Sequence, residues 1–391
     1  MKKNIFIFLN NKLLSLDTII PFLIELKAVN PQLNINFFAF NKKTMNTIES
    51  NFFLYGITNE LGNLSRFGSA SLDSHPILRR LVIVLSLIKL IMQGLFQKNV
   101  YIHFKGLEAF PFNLLYFTNK KNCYLFEANP WGHANALSRA YNINADRPLD
   151  YEYHPIMRAC STLVSYSNNW PQLKSAKLAG KNIYYIEPPR SRKEWLDYCK
   201  RKSQEYLASQ TWLQEIIKTK KMILYLFGTT GPIVTLDNST NGRELFLKTL
   251  EHLKKIENAF IIIKPHPNAD LKELAELIKQ AEMDNIEISL MHPSVLANYC
   301  SFSISNYFSF TLADAWFAGS RTIEYTFYKQ ALLRATNNQS TYPAYVDSFL
   351  QSDEADDLIK ILNSNVKVYE RDFYADIPRN DLTKLLDVIA N

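Results

Sequence analysis

Short apolar runs recur along this chain. Each is closed by polar or turn-forming residues and followed by a longer stretch with helical spacing. The runs at 4–9, 33–38, 100–103, 124–126, 163–166 and 184–186 predict strands, and 18–29 and 155–160 predict helices between them. Strands alternating with helices predict a parallel sheet covered on both faces. The alternation stops at Glu187-Pro188-Pro189-Arg190, because neither proline can serve an inner strand. A charged helical stretch, 193–220, follows. A second alternation then places strands at 222–227, 260–264, 286–290, 301–305 and 321–325, with helices at 243–255, 271–281 and 311–318. Helical patterns at 354–362 and 381–390 close the chain.

At 391 residues the chain exceeds one typical core. The expected architecture is α/β, with two doubly wound, Rossmann-like domains facing across a cleft. Residues 1–190 form the first domain, 191–220 a helical linker and 221–350 the second, while 351–391 supply helices that return to the first.

One apolar run departs from the pattern. Residues 78–96 are strongly apolar but contain Arg79, Arg80 and Lys89, and they fall short of the roughly 18 clean apolar positions of a spanning helix. Two readings stay open: a half-buried helix, or an interfacial helix with those cations near anionic headgroups. The N-terminal run after Met1-Lys2-Lys3-Asn4 is too short for a secretory signal and lacks a small-residue cleavage site. A cytoplasmic protein is expected, with 78–96 the candidate for peripheral contact with the inner face of the membrane.

Composition narrows the function classes. A hydrophobic content of 47% with 21% charged residues is ordinary for a globular protein. The net charge of +7 does not by itself choose among anionic partners. No basic cluster is interleaved with aromatics, so nucleic acid is not an expected partner. Cys123, Cys160, Cys199 and Cys300 are scattered without a C-x-x-C pair, and there is no Asp-x-Asp, so no metal site is expected.

The candidate chemistry gathers at strand ends. The run at 260–263 closes in Lys264-Pro265-His266-Pro267, where a cation and an imidazole suit an anionic ligand. His-Pro pairs also occur at His75, His154 and His292, but only this one closes an apolar strand beside a lysine. In open α/β sheets ligands sit outside the carboxyl ends of strands, and helix N-termini there favour phosphate. The strand at 301–305 leads to Ser309 and Thr311, whose hydroxyls can cap a helix and meet a phosphate. Asp314 lies one turn in, as an acceptor for a ribose hydroxyl or as a favourable charge on the helix dipole.

The loop Gly228-Thr229-Thr230-Gly231 follows the first strand of the second alternation. It lacks the spacing of a dinucleotide fingerprint and the lysine of a Walker motif, but its glycines permit close backbone approach to a ligand. Asp237 follows as nucleophile, sugar-orienting group or turn aspartate. In the first domain Glu127 ends a strand, where a carboxylate can act as general acid or base; His133 is the other candidate for that role. Together these residues read as a nucleotide-sugar site that needs no cofactor beyond its donor.

Four of these places resemble the bacterial capsule-synthesis glycosyltransferases that use CMP-Kdo and, more distantly, bacterial sialyltransferases with His-Pro and serine motifs. Glu127 matches the leading carboxylate of an acidic-glycine motif, Gly228 with Asp237-x-Ser239 a Gly…Asp-x-Ser loop, and Lys264-Pro265-His266-Pro267 the Lys-Pro-His-Pro segment. Ser309 to Asp314-Ala315 keeps the spacing of the Ser…Glu-Ala helix. The likeness covers mainly 222–326. It implies a GT-B fold, a CMP-activated donor such as Kdo, and a lipopolysaccharide or capsule glycan or glycolipid as acceptor. In the retaining branch it implies Asp237 as nucleophile and Glu127 as acid/base.

Three positions differ from the family. Ala-Asn-Pro follows Glu127, Asp314 stands for glutamate, and Gly-Thr-Thr-Gly replaces a Gly-Gln start. The sugar and the stereochemical course therefore stay open. A CDP-alcohol phosphotransferase of teichoic-acid type, a sugar-nucleotide 2-epimerase and a non-catalytic assembly protein are the competing readings.

Overall fold

The computed structural model describes residues 3–9, 13–67, 75–97, 99–108, 110–128, 141–142, 147–148, 159–168, 170, 172–233, 235–307, 309–364 and 379–391. They fall into two units, one drawn from 1–134, 151–195 and 374–391, the other from 135–150 and 196–373.

The first apolar runs become β1 (Asn4–Leu9), β2 (Asn34–Ala39), β3 (Asn63–Arg66), β4 (Val100–His103) and β5 (Cys123–Phe126). After a short antiparallel ribbon, β6 (Tyr141–Asn142) and β7 (Arg147–Pro148), come β8 (Thr162–Ser165) and β9 (Asn182–Tyr185). Helices α1 (Leu13–Val29), α2 (Lys42–Ser50), α3 (Phe52–Leu61), α4 (Pro76–Phe96), α5 (Leu114–Thr118) and α6 (Gln172–Leu178) lie between the strands. The sheet runs β3-β2-β1-β4-β5-β8-β9 with every neighbouring pair parallel. Every residue of β4, β5 and β8 is buried, which is why these strands read as unbroken apolar runs.

The stretch 193–220 forms two helices, α7 (Lys193–Ser209), which passes from the first unit into the second, and α8 (Thr211–Thr219). Beyond them lie β10 (Lys221–Phe227), α9 (Gly242–Leu253), β11 (Ala259–Pro265), α10 (Leu271–Gln280), β12 (Ile286–Ile288), α11 (Pro293–Leu296) and β13 (Phe302–Ser305). They are followed by α12 (Phe310–Phe317), β14 (Arg321–Thr326), α13 (Gln330–Ala335), β15 (Ser348–Gln351) and α14 (Ala355–Asn363). This sheet is also all parallel, in the order β12-β11-β10-β13-β14-β15.

Alternation along these strands divides the second sheet's faces. Tyr225, Phe227, Ile261, Ile263 and Ile304 join Phe246, Leu274 and Leu358 in an apolar core. The register row Lys264–Leu226–Ser305–Glu324 lies on the other face. Several polar groups on that face bond to one another. Ser303 and Ser320 share a hydrogen bond of 2.8 Å, and Glu324 accepts from Tyr328 and from Ser340.

The C-terminal helices part company. α14 stays with the second unit, its Leu362 carbonyl accepting from Lys221 Nζ at 2.5 Å. The last helix, α15 (Leu382–Ala390), belongs to the first, where Asn30 Nδ2 donates to the Ala390 carbonyl at 3.2 Å. Of the helix expected at 155–160, all but Ala159 and Cys160 lies outside the described residues, and those two lead into β8 without helix. Strands β3 and β15 were not expected. Each is a four-residue edge strand with little burial, so neither carries an apolar run.

Candidate functional site

The order of the second sheet sets the location. From β10 the chain first builds outward through β11 and β12, then crosses to the other side of β10 with β13. The carboxyl ends of β10 and β13 therefore flank a topological switch point, where open α/β sheets hold their ligands. His266 follows β11 on one side of β10, and the turn to Ser309 follows β13 on the other.

His266 is fixed by its own loop. Its backbone N–H donates to the Phe227 carbonyl at 2.8 Å, and its Nδ1 accepts from the Asn268 N–H at 3.2 Å. The neutral ring therefore carries its proton on Nε2. Desolvation by the surrounding chain and, second, the charge of Lys264 hold the imidazole below its ordinary pKa. Lys264 donates from Nζ to the Pro265 carbonyl at 2.9 Å. It shares its sheet face with Ser305, two strands and about 10 Å away.

At β13 the turn holds two residues that sequence reasoning passed over. Asn306 is buried, accepts from the Tyr225 hydroxyl, and donates to Thr249 Oγ1 and to the Tyr325 carbonyl, each at 2.9 Å. It ties β10, α9 and β14 together. Tyr307 lies over Gly228, where a Cβ would fall 1.5 Å from its hydroxyl oxygen. The space that a glycine leaves here is filled by that phenol. Ser309 caps α12, with its Oγ 2.8 Å from Thr311 Oγ1. Gly319, at φ 89°, ends that helix; its N–H reaches the Trp316 carbonyl and the next N–H, of Ser320, the Ala315 carbonyl.

Gly228→Ala is expected to displace Tyr307, lower stability by about 1–3 kcal/mol and weaken nucleotide binding. Adding Tyr307→Ser should restore the stability. Thermal melts of both variants check it, and an unchanged Gly228→Ala melt would refute the packing.

The rest of the glycine loop is turned toward its own helix. The Thr230 and Gly231 carbonyls accept from the Arg243 and Gly242 N–H groups, and Asn241 caps Glu244 in a capping box. Thr229 Oγ1 accepts from the Gly231 N–H at 3.1 Å. The first three N–H groups of α9 are thus occupied, whereas at α12 those of Thr311 and Leu312 bond to Ser309 itself.

Within the second unit Asp237 sits apart. Asp237 is carried toward β14 by the Leu236–Tyr328 bridge and by its own N–H bond to the Phe327 carbonyl. The ends of β11 and β14 are three strand spacings, about 14 Å, apart. The Asp237 carboxylate accepts from the Ser239 hydroxyl at 2.7 Å and N–H at 2.9 Å, which holds its pKa below the usual carboxylate range. Asp314 is 2% exposed, so its carboxylate lies inside the unit. Glu127 belongs to the first unit and is 1% exposed. Its Oε2 accepts from the Ser165 hydroxyl at 2.8 Å and the Tyr166 N–H at 2.9 Å, clamping the end of β5 to that of β8. His133 lies outside the described residues. Among the described residues no three His, Cys, Asp or Glu side chains gather in a metal-binding group. Also among them, no helix is long and apolar enough to cross a membrane.

No protein-family model matches the sequence, and no curated protein matches it. Solved structures match along the whole chain. UDP-GlcNAc 2-epimerase from Methanocaldococcus jannaschii aligns at 14% identity and a TM-score of 0.54, covering 94% of this chain and 95% of its own. A UGT transferase from Siraitia grosvenorii in complex with UDP aligns at 10% identity and 0.51, covering 100% of each chain. TcCGT1 in complex with UDP aligns at 12% and 0.50, covering 100% of this chain and 93% of its own. The fold is thus α/β and GT-B-like, with two doubly wound Rossmann-like units.

Proposed function

We propose that this protein is a glycosyltransferase that binds a nucleotide-activated sugar at the switch point of its second unit. One observation carries the reading. Two strand ends on either side of β10 supply an imidazole N–H at His266 and an ammonium at Lys264, at the end of β11, and the hydroxyl pair Ser309–Thr311 at a helix N-terminus, after β13. All of them favour negative charge, and the developing charge on a departing nucleoside phosphate is what glycosyl transfer must stabilise.

The Lys-Pro-His-Pro segment supports a CMP-activated donor, with Kdo or a related ulosonic acid as its sugar. The acceptor would be a surface-polysaccharide or lipid-linked glycan, held by the first unit in a cytoplasmic enzyme that touches the membrane through 78–96. Asp237 is assigned as nucleophile, a role its lowered pKa suits by keeping it ionised. Glu127 is assigned as acid/base. With Oε2 held by the Ser165 and Tyr166 bonds, Oε1 is the oxygen that would carry the proton.

A second reading, a UDP-sugar 2-epimerase, draws on the whole-chain likeness to that enzyme. Thermal melts with CMP, CDP, UDP and GDP separate a CMP-activated donor from a UDP-sugar. A ligand at 100 times its Kd adds about 2.7 kcal/mol of stability. CMP is expected to raise the melting temperature most. A response to UDP alone would move the donor assignment to UDP-sugars, and no response to any nucleotide would overturn the site.

A further inference from the structure

The helix α4 is apolar on two sides. Leu87 and Leu90 pack into the first unit's core with Phe6 and Tyr101. The other side exposes Leu81, Leu85, Ile88, Met92 and Leu95, continued by Ile77 at one end and Phe96 at the other, 81% and 75% exposed. At about 100° per residue these seven positions fall within an arc of about 100°. Lys89 and Arg80, both exposed, project about 20° outside one border of that arc and about 60° outside the other. Beside it α5 packs against α4 and exposes Phe117, whose ring lies 5.8 Å from the Lys120 ammonium.

Charge identifies the occupant. Residues 74–126 contain seven Lys or Arg and one Asp or Glu, while the whole chain carries a net +7. Nearly all the excess positive charge therefore lies in the segment that bears this face. An apolar stripe bordered by cations on both sides fits a helix lying in a bilayer interface, its rings and aliphatic groups among the acyl chains and its cations among anionic headgroups. A second copy of the chain fits worse. A two-fold contact would set this cation-bordered face against its own copy, and α4 contains no acidic residue to answer Arg80 and Lys89.

We propose that the α4–α5 face is a docking surface for an anionic lipid bilayer, with α4 lying parallel to the membrane. The proposal rests on the reading of 78–96 as membrane contact and adds the residues of the inserted face and the part of α5 beside it.

Flotation with vesicles of phosphatidylcholine, alone or mixed with phosphatidylglycerol, tests it. The wild-type protein should float with the mixed vesicles only, and added salt should weaken the association. Leu85→Glu/Ile88→Glu should abolish flotation. Arg80→Glu/Lys89→Glu should reduce it on the order of thirtyfold or more. Both variants should melt at the wild-type temperature, since all four side chains are exposed. Equal binding to both vesicle types, or wild-type binding by the variants, would overturn the proposal. So would a wild-type dimer that ignores vesicles and dissociates on Leu85→Glu/Ile88→Glu. Vesicle binding without any nucleotide response would instead defeat the glycosyltransferase reading and leave this one standing.

Discussion

Replacing His266 with alanine is expected to lower turnover by a factor of about 10²–10³ with no change in melting temperature, the usual effect of removing one preorganised donor from a developing anion. The residue as a whole is exposed and held mainly through its backbone, so the fold loses little with the side chain. What is lost is the Nε2–H, left free to point outward because Nδ1 is engaged by the Asn268 N–H. His266→Gln, which can present an amide N–H, should recover part of the rate. Steady-state turnover of the two variants decides the matter, and wild-type rates in His266→Ala would remove the residue from the mechanism.

The same ring predicts a pH dependence whose sign can be worked out. Its pKa in the free protein lies below the ordinary value of 6.5, through desolvation and the Lys264 charge, so it is neutral at pH 7. To take a proton, Nδ1 must release the Asn268 N–H, and an anion against Nε2 favours that exchange. Bound nucleotide therefore raises the pKa, and between the free and bound values binding takes up a proton. Affinity should strengthen as pH falls below 7. Calorimetric titration of His266→Ala over the same range should lose this slope and keep only the titration of the nucleotide phosphate itself.

How much of this was legible follows from range. Strands 4–9, 100–103 and 222–227 announce themselves because parallel strands covered on both faces need apolar residues throughout. The Lys264–Pro267 turn announces itself because it interrupts such a run. Asn306 has no local signature, since its partners Tyr225, Thr249 and Tyr325 come from three distant elements. The place of Asp237 beside β14 depends on Tyr328, far along the chain, and the clamp on Glu127 depends on Ser165 across a strand boundary. Sequence identifies the groups capable of the chemistry, and sheet order decides which of them meet.

Asn306→Leu is expected to destabilise the second unit by about 3–5 kcal/mol. The substitution keeps the branched shape but adds volume, so the loss is of hydrogen bonds together with some overpacking. The Tyr225 hydroxyl loses its acceptor, and Thr249 Oγ1 and the Tyr325 carbonyl each lose a donor, all inside the unit. Each orphaned buried group costs about 1–3 kcal/mol. Thr249 is partly protected, since its hydroxyl still donates to the Leu245 carbonyl at 2.6 Å. Burial pushes the Tyr225 phenol well above its usual pKa, so it cannot escape by ionising. Tyr225→Phe should therefore cost less in the Asn306→Leu background than in the wild type, because the hydroxyl it removes has already lost its partner. Urea unfolding of the four proteins completes this cycle, and additive losses, or a single-mutant loss below about 1 kcal/mol, would reject the clamp. Nucleotide affinity should fall along with stability in Asn306→Leu, since the residue holds the turn that lays Tyr307 over Gly228 and sets Ser309 at the head of α12.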